Sequence, residues 1–137
     1  MDNHIRRVKT AVDPFESFAL SQAIAVDPWI FVSGQAAMDD NGAIIGGNNF
    51  AAQAHAAFGN LRAVLEAAQS SLDDVVKVTI FLTDMSNFAE VVALRRTYFK
   101  PPYPADSIVE VGALALPELL FEIEAIAVRG AGRNKTD

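Results

Sequence analysis

Residues 50–82 read FAAQAHAAFGNLRAVLEAAQSSLDDVVKVTIFL, and this stretch decides the fold. Apolar residues recur at Phe50, Ala54, Ala57, Phe58, Leu61, Val64, Leu65 and Ala68. Spacings of three and four place them on one stripe of a helix of about five turns, with Gln53, Arg62 and Glu66 on its other side. The loop Gly46-Gly47-Asn48-Asn49 ahead of it ends in residues suited to cap that helix. Ser71-Leu72-Asp73-Asp74 turns the chain. Val75–Leu82, rich in Val, Ile, Thr and Phe, then reads as a strand.

Upstream, the first dozen residues read as a frayed start or short edge strand around Val8, and Asp13-Pro14 marks a turn. Phe18–Val26 alternates loosely, Asp27-Pro28 turns, and Trp29-Ile30-Phe31-Val32 is a short aromatic and β-branched strand, so the pair forms a hairpin. Asp40-Asn41-Gly42 is a further turn. Downstream, Asp84–Asn87 breaks the strand, and helical spacing resumes over Phe88–Phe99. Lys100–Pro104 is irregular, because proline donates no ladder hydrogen bond. Ser107–Val111 and Leu119–Val128 are the last strands. In the second, Phe121, Ile123, Ala125 and Ala127 face one way, while Glu122, Glu124, Ile126 and Val128 face the other.

Two helices do not wrap both faces of a sheet of five or six strands. They cover one face, which is α+β layering within a single domain spanning 1–137. The uncovered face still carries Ile126 and Val128, and exposed apolar sheet implies an oligomer interface.

Composition narrows the function. The chain has 137 residues, 51% hydrophobic and 20% charged, which is ordinary globular usage. With no cysteine, it has neither disulfides nor thiolate chemistry, as fits a reducing interior. A formal net charge of −6, with eleven scattered basic residues, argues against nucleic acid as a partner. The basic N-terminal residues (Arg6, Arg7, Lys9) and tail (Arg129, Arg133, Lys135) read as solvated surface. Apolar runs such as Leu119–Phe121 and Ala125–Val128 are interrupted well short of the roughly 20 residues of a membrane span. No secretory signal precedes the domain, so the cytoplasm is the expected location.

Several motifs in order now carry a resemblance. Phe31-Val32-Ser33-Gly34-Gln35 ends a strand. Asn60–Ala68 runs into Ser71–Lys77, Phe81-Leu82-Thr83-Asp84-Met85-Ser86-Asn87-Phe88 follows, and Val109-Glu110-Val111 and Glu122–Val128 close the series. Together, over about residues 15–129, they resemble the reactive intermediate deaminase (Rid, or YjgF-type) family. The resemblance implies a chorismate-mutase-like fold, a homotrimer with clefts between subunits, and hydrolysis of enamines and imines without metal or cofactor. It also implies that Glu122 is the cleft carboxylate that positions or activates water. Glu124, on the same face, is its rival.

One departure matters. Deaminating members read P-A-R-S before the penultimate strand, and their arginine holds the substrate carboxylate. Here Pro104-Ala105-Asp106-Ser107 puts a carboxylate there, reversing the charge. Leu20, in Phe18-Ala19-Leu20-Ser21-Gln22-Ala23, likewise replaces a tyrosine of the family pattern G-P-Y-S-Q-A. Both changes point to a less anionic, more apolar ligand. If Glu122 and Asp106 share a site, like charge drives their pKa values apart, which suits one to base and the other to acid work. Asp106 has a second reading as a turn cap after Pro104. Arg95, Arg96 and Arg129 are candidates to replace the lost guanidinium. The substrate-binding set is Ser33, Gly34, Asn87, Phe88, Leu20 and Ile108, with free N–H groups expected where Asn87-Phe88 opens a helix.

Other features carry less. His55 and His4 have no metal-ligand spacing, and Ser33 has no His–Asp constellation to make it a nucleophile. The glycines lack a phosphate-loop context. Trp29 and Phe31 read as core or interface. Two functions stand: a Rid-like hydrolase of a small imine, enamine or related nitrogen compound, and a catalytically silent trimer that binds a small molecule. Ribonuclease activity, a label carried by some relatives, conflicts with the net charge.

Overall fold

The computed structural model describes residues 4–136. Six strands and two helices follow in the order β1 (Arg6–Val8), β2 (Ala23–Val26), β3 (Trp29–Ala36), α1 (Phe50–Ala67), β4 (Val75–Leu82), α2 (Phe88–Tyr98), β5 (Ala105–Glu110) and β6 (Phe121–Val128). They form one sheet, β1-β2-β3-β6-β4-β5. Every neighbouring pair is antiparallel except β4 and β5, which α2 joins as a parallel crossover. This is the mixed-sheet α+β architecture expected. Among the described residues, no helix is long and apolar enough to cross a membrane.

The reasons are local. Asn49 caps α1 by accepting the Ala52 N–H at 2.9 Å. The helix buries Ala54, Ala57, Phe58, Leu61, Val64 and Leu65, as the spacing requires, and ends where Gln69 turns left-handed at φ 59°. On β6, Phe121, Ile123, Ala125 and Ala127 are buried, and their alternation with Glu122, Glu124, Ile126 and Val128 follows the strand period. Phe58 lies at the centre of the core. Its ring stacks on Tyr98 of α2 with centroids 4.2 Å apart, and Phe99 and Phe121 complete the aromatic cluster.

Three expectations change. Gln53 is not on the solvent side of α1 but fully buried. Its amide donates to the carbonyls of Gly47 (2.6 Å) and Glu118 (2.9 Å), and its oxygen accepts from Leu120 N–H (2.9 Å). Two loops cross the end of the helix there, and their inward peptide groups need partners away from water. The strand expected over Phe18–Val26 is confined to β2, because Glu16–Phe18 is a single 3₁₀ turn. The last two strands are displaced as well. β5 begins at Ala105, two residues early, and β6 begins at Phe121, two residues late.

The sheet face away from the helices is open in the protomer. Trp29 and Phe31 are 46% and 45% exposed, Val109 is also exposed, and Ile126 and Val128 are half-buried.

Candidate functional site

The candidate site begins with an irregularity in β3. Its ladder with β6 slips between Val32 and Gln35, so Ser33 and Gly34 lie outside the regular pairing. Ser33 is held from the other side, its N–H donating to Gln22 O (2.9 Å) and its hydroxyl to Ser21 O (2.6 Å). That hydroxyl therefore serves the backbone. Beyond the slip, Glu122 of β6 pairs with Ala36 of β3 and with Phe81 of β4.

The slip leaves room above Gly34, and Glu122 fills it. A Cβ built on Gly34 would lie 2.5 Å from Glu122 Oε2 and 2.7 Å from its Cδ. Only a residue without a side chain lets the carboxylate lie there. Burial, and after it the neighbouring Glu124 carboxylate, pushes the Glu122 carboxyl above its ordinary value of 4.5. This makes a carboxylate that takes up a proton more readily than one in water.

Glu122 opens into a cleft of about 1180 Å³ that also takes in Leu20, Ser33, Gly34 and Glu124. Four of the eight expected site residues thus share one cavity: Glu122, Ser33, Gly34 and Leu20. Its other walls include Phe15, Phe18, Asp40 and Leu116, which the sequence reading does not place in a site. Nothing periodic marks such loop residues. Only the hydrophobic character of Phe15, Phe18 and Leu116 between turn signals hints at them.

The other four, Asp106, Ile108, Asn87 and Phe88, gather on β5 and α2. Asp106 pairs with Val78 and Ile108 with Ile80, so both side chains alternate to the helix-covered side that Val78 and Ile80 occupy. Arg95 of α2 grips Asp106 with both edges of a fork, Nε to Oδ2 at 2.8 Å and Nη2 to Oδ1 at 3.0 Å. Its guanidinium carbon lies 5.9 Å from the Phe88 ring centroid. The expected Glu122–Asp106 carboxylate pair is not formed within the protomer. β4 separates the two strands, the side chains leave opposite faces of the sheet, and Asp106 is neutralised by Arg95. Of the other arginines considered, Arg129 is committed to Asp27 and to Ala68 O.

In the 3₁₀ turn Met85–Asn87 that leads into α2, the N–H groups are already occupied. Met85 N–H donates to Glu110 Oε1 (2.8 Å), Ser86 N–H to Asp84 Oδ1 (2.9 Å) and Asn87 N–H to Asp84 O (3.3 Å). Asn87 turns its own amide back to Asp84 O (3.3 Å). The segment caps itself.

Three expected results follow from this geometry. The Arg95 and Asp106 side chains are only 23% and 15% exposed, so Asp106→Ala strands a charge with little water around it. We expect a loss of about 1–2 kcal/mol in urea denaturation, below the range for fully buried pairs because of the remaining exposure. The double variant Arg95→Met/Asp106→Ala recovers most of it. For Glu122, the raised carboxyl moves the acid limb of any reaction that uses it as a base above the ordinary glutamate range. Glu124→Gln removes the second cause and shifts that limb to lower pH in a pH–rate profile. The same shift makes stability fall as pH rises from the unfolded value through the folded one, because the folded state holds the proton longer.

The family model described as Endoribonuclease L-PSP matches residues 10–129. The chain is similar to the 2-iminobutanoate/2-iminopropanoate deaminase of Rattus norvegicus, 39% identical over 131 residues that cover 95% of each chain. Among solved structures it is similar to YEO7_yeast (TM-score 0.84, 38% identity, covering 92% of this chain and 99% of the other). It is also similar to YyfA of Yersinia pestis, a member of the conserved Rid protein family (TM-score 0.84, 34% identity, covering 91% and 99%).

Proposed function

Because this chain belongs to the Endoribonuclease L-PSP (YjgF/Rid) family, we propose that it is an imine-deaminase-like hydrolase whose base is Glu122. One observation carries the reading. A half-buried carboxylate lies over a residue with no side chain, faces a cleft, and has its affinity for protons raised by its surroundings.

The chemistry is simple to balance. Glu122 takes a proton from water as the water oxygen bonds to the imine carbon, and the π electrons move to nitrogen. Glu122 returns that proton to nitrogen. Glu122 next takes the carbinolamine hydroxyl proton and hands it to nitrogen, so the C–N bond breaks with ammonia as the leaving group while the oxygen electrons form the carbonyl. Imine and water become carbonyl compound and ammonia. Imine and carbonyl carbon stand at the same oxidation level, so the reaction needs no redox partner, and one carboxylate suffices as both base and acid.

Two features support assembly as a homotrimer with the cleft completed between subunits. The open sheet face carries exposed Trp29, Phe31 and Val109. The expected site residues also fall into two groups, with Glu122, Ser33, Gly34 and Leu20 in one and Asp106, Ile108, Asn87 and Phe88 in the other. A neighbouring copy can bring the second group to the first. Light scattering on the full chain is expected to give the mass of three chains; a monomer would remove this part of the proposal. The absence of cysteine favours work in the reducing cytoplasm.

To test the reaction, ammonia release is followed from neutral, cationic and anionic imines, beside Glu122→Gln. Acceleration in the parent chain that the variant lacks supports the proposal. No acceleration with any imine, together with ligand-induced thermal stabilisation, favours a silent binding trimer instead. RNA is a poor fit, because among the described residues several carboxylates and no basic side chain line the cleft.

A further inference from the structure

We infer that the cleft selects a cationic, apolar nitrogen compound, such as an iminium with a hydrocarbon substituent, over an imine that carries a carboxylate. This deepens the hydrolase reading of the same site by naming its substrate class. Asp106 cannot be the source of such a preference, because Arg95 neutralises it. A different set of residues supplies the negative charge.

Glu122, Glu124, Asp40, Glu16 and Asp13 all line the cleft, and among the described residues no lysine, arginine or histidine does. Arg7, at its margin, reaches Asp13 (2.6 Å) and Glu16 (3.3 Å) and cancels one of those two charges. Among the described residues, Glu122, Glu124 and Asp40 have no ion-pair partner. Unbalanced charge of one sign in a concave, low-dielectric wall focuses its field on whatever enters. The rest of that wall is apolar and open to a ligand: Phe18 is 71% exposed, Leu20 43% and Leu116 36%. Exposed aromatic and aliphatic side chains around carboxylates form the usual complement of an organic cation.

The other half of the expected site offers an anion no relief. The Arg95 guanidinium is already closed on Asp106 through two hydrogen bonds, and the Met85 and Ser86 N–H groups in the turn before α2 are occupied by Glu110 and Asp84. A carboxylate entering the cleft of the protomer would meet like charge, with no guanidinium among the described residues that line it.

The test is a matched pair of probes titrated calorimetrically into the full chain at neutral pH: benzylammonium and benzoate, similar in size and opposite in charge. Benzylammonium is expected to bind at least about tenfold tighter, with the preference shrinking as salt is added. Glu124→Gln combined with Asp40→Asn is expected to remove most of the preference, whereas Glu124→Asp keeps it. Retained far-UV circular dichroism shows that each variant is folded. Benzoate binding as tightly as benzylammonium, no detectable binding of benzylammonium, or a preference unchanged in the folded double variant each overturns the inference. Turnover plays no part in this readout. A chain that prefers benzylammonium but hydrolyses no imine sinks the hydrolase reading alone, and one that hydrolyses imines yet favours benzoate sinks this inference alone.

Discussion

Glu122→Gln is expected to lower imine hydrolysis by about 10²- to 10⁴-fold, the usual contribution of a positioned general base. The amide matches the carboxylate in shape and fits the space over Gly34, so the cleft is preserved. It cannot take a proton from water. Folding should not suffer, because the replaced group is a carboxylate that burial already disfavours in its charged form. The variant therefore separates chemistry from architecture: ammonia release collapses while the thermal midpoint stays level or rises. Unchanged turnover would move the base elsewhere, with Glu124, its neighbour on the same face, the next residue to replace.

Gly34→Ala is the second large effect, and it acts without touching the carboxylate chemically. The new methyl group would stand 2.5 Å from Oε2 and 3.1 Å from Cγ of Glu122. These atoms form a flexible side chain, so the protein resolves the clash by swinging Glu122 aside. Stability then changes by no more than about 1 kcal/mol, as for a substitution that can relax. Activity falls by about 100-fold, because a base displaced by roughly an ångström no longer aligns water with carbon. Steady-state kinetics should place the loss in kcat with KM little altered. Full activity in Gly34→Ala would mean that the carboxylate works from some other position.

Sequence reveals most where one side of an element is buried and the other is not. α1 and β6 are legible for that reason, since an apolar stripe every three or four residues, or at every second one, fits few arrangements besides a half-buried helix or strand. Glu122 and Glu124 stand out by the same logic, as charges on a strand otherwise apolar, and it is the family resemblance that favours Glu122 between them. Gln53 escapes it because periodicity assigns polar residues to solvent, and nothing local shows that two distant loops will need its amide. Asp106 is a subtler case. Its charge is plain from the sequence, but its orientation depends on where β5 begins, and a strand starting at Ala105 turns Asp106 toward α2, where Arg95 waits. The acidic residues from the loops, Asp13, Glu16 and Asp40, are brought to one cavity only by the path of the backbone. No spacing rule assembles them.

The buried amide of Gln53 has a consequence for the cleft that lies across the sheet from it. By binding Glu118 O and Leu120 N–H, it ties the segment just before β6 to the longest helix of the protein. Leu116 and Leu119, on that same stretch, form part of the cavity wall. One boundary of the pocket is thus anchored from behind, like a panel bolted to its frame. A guest would meet a wall already in place, at little cost in ordering entropy.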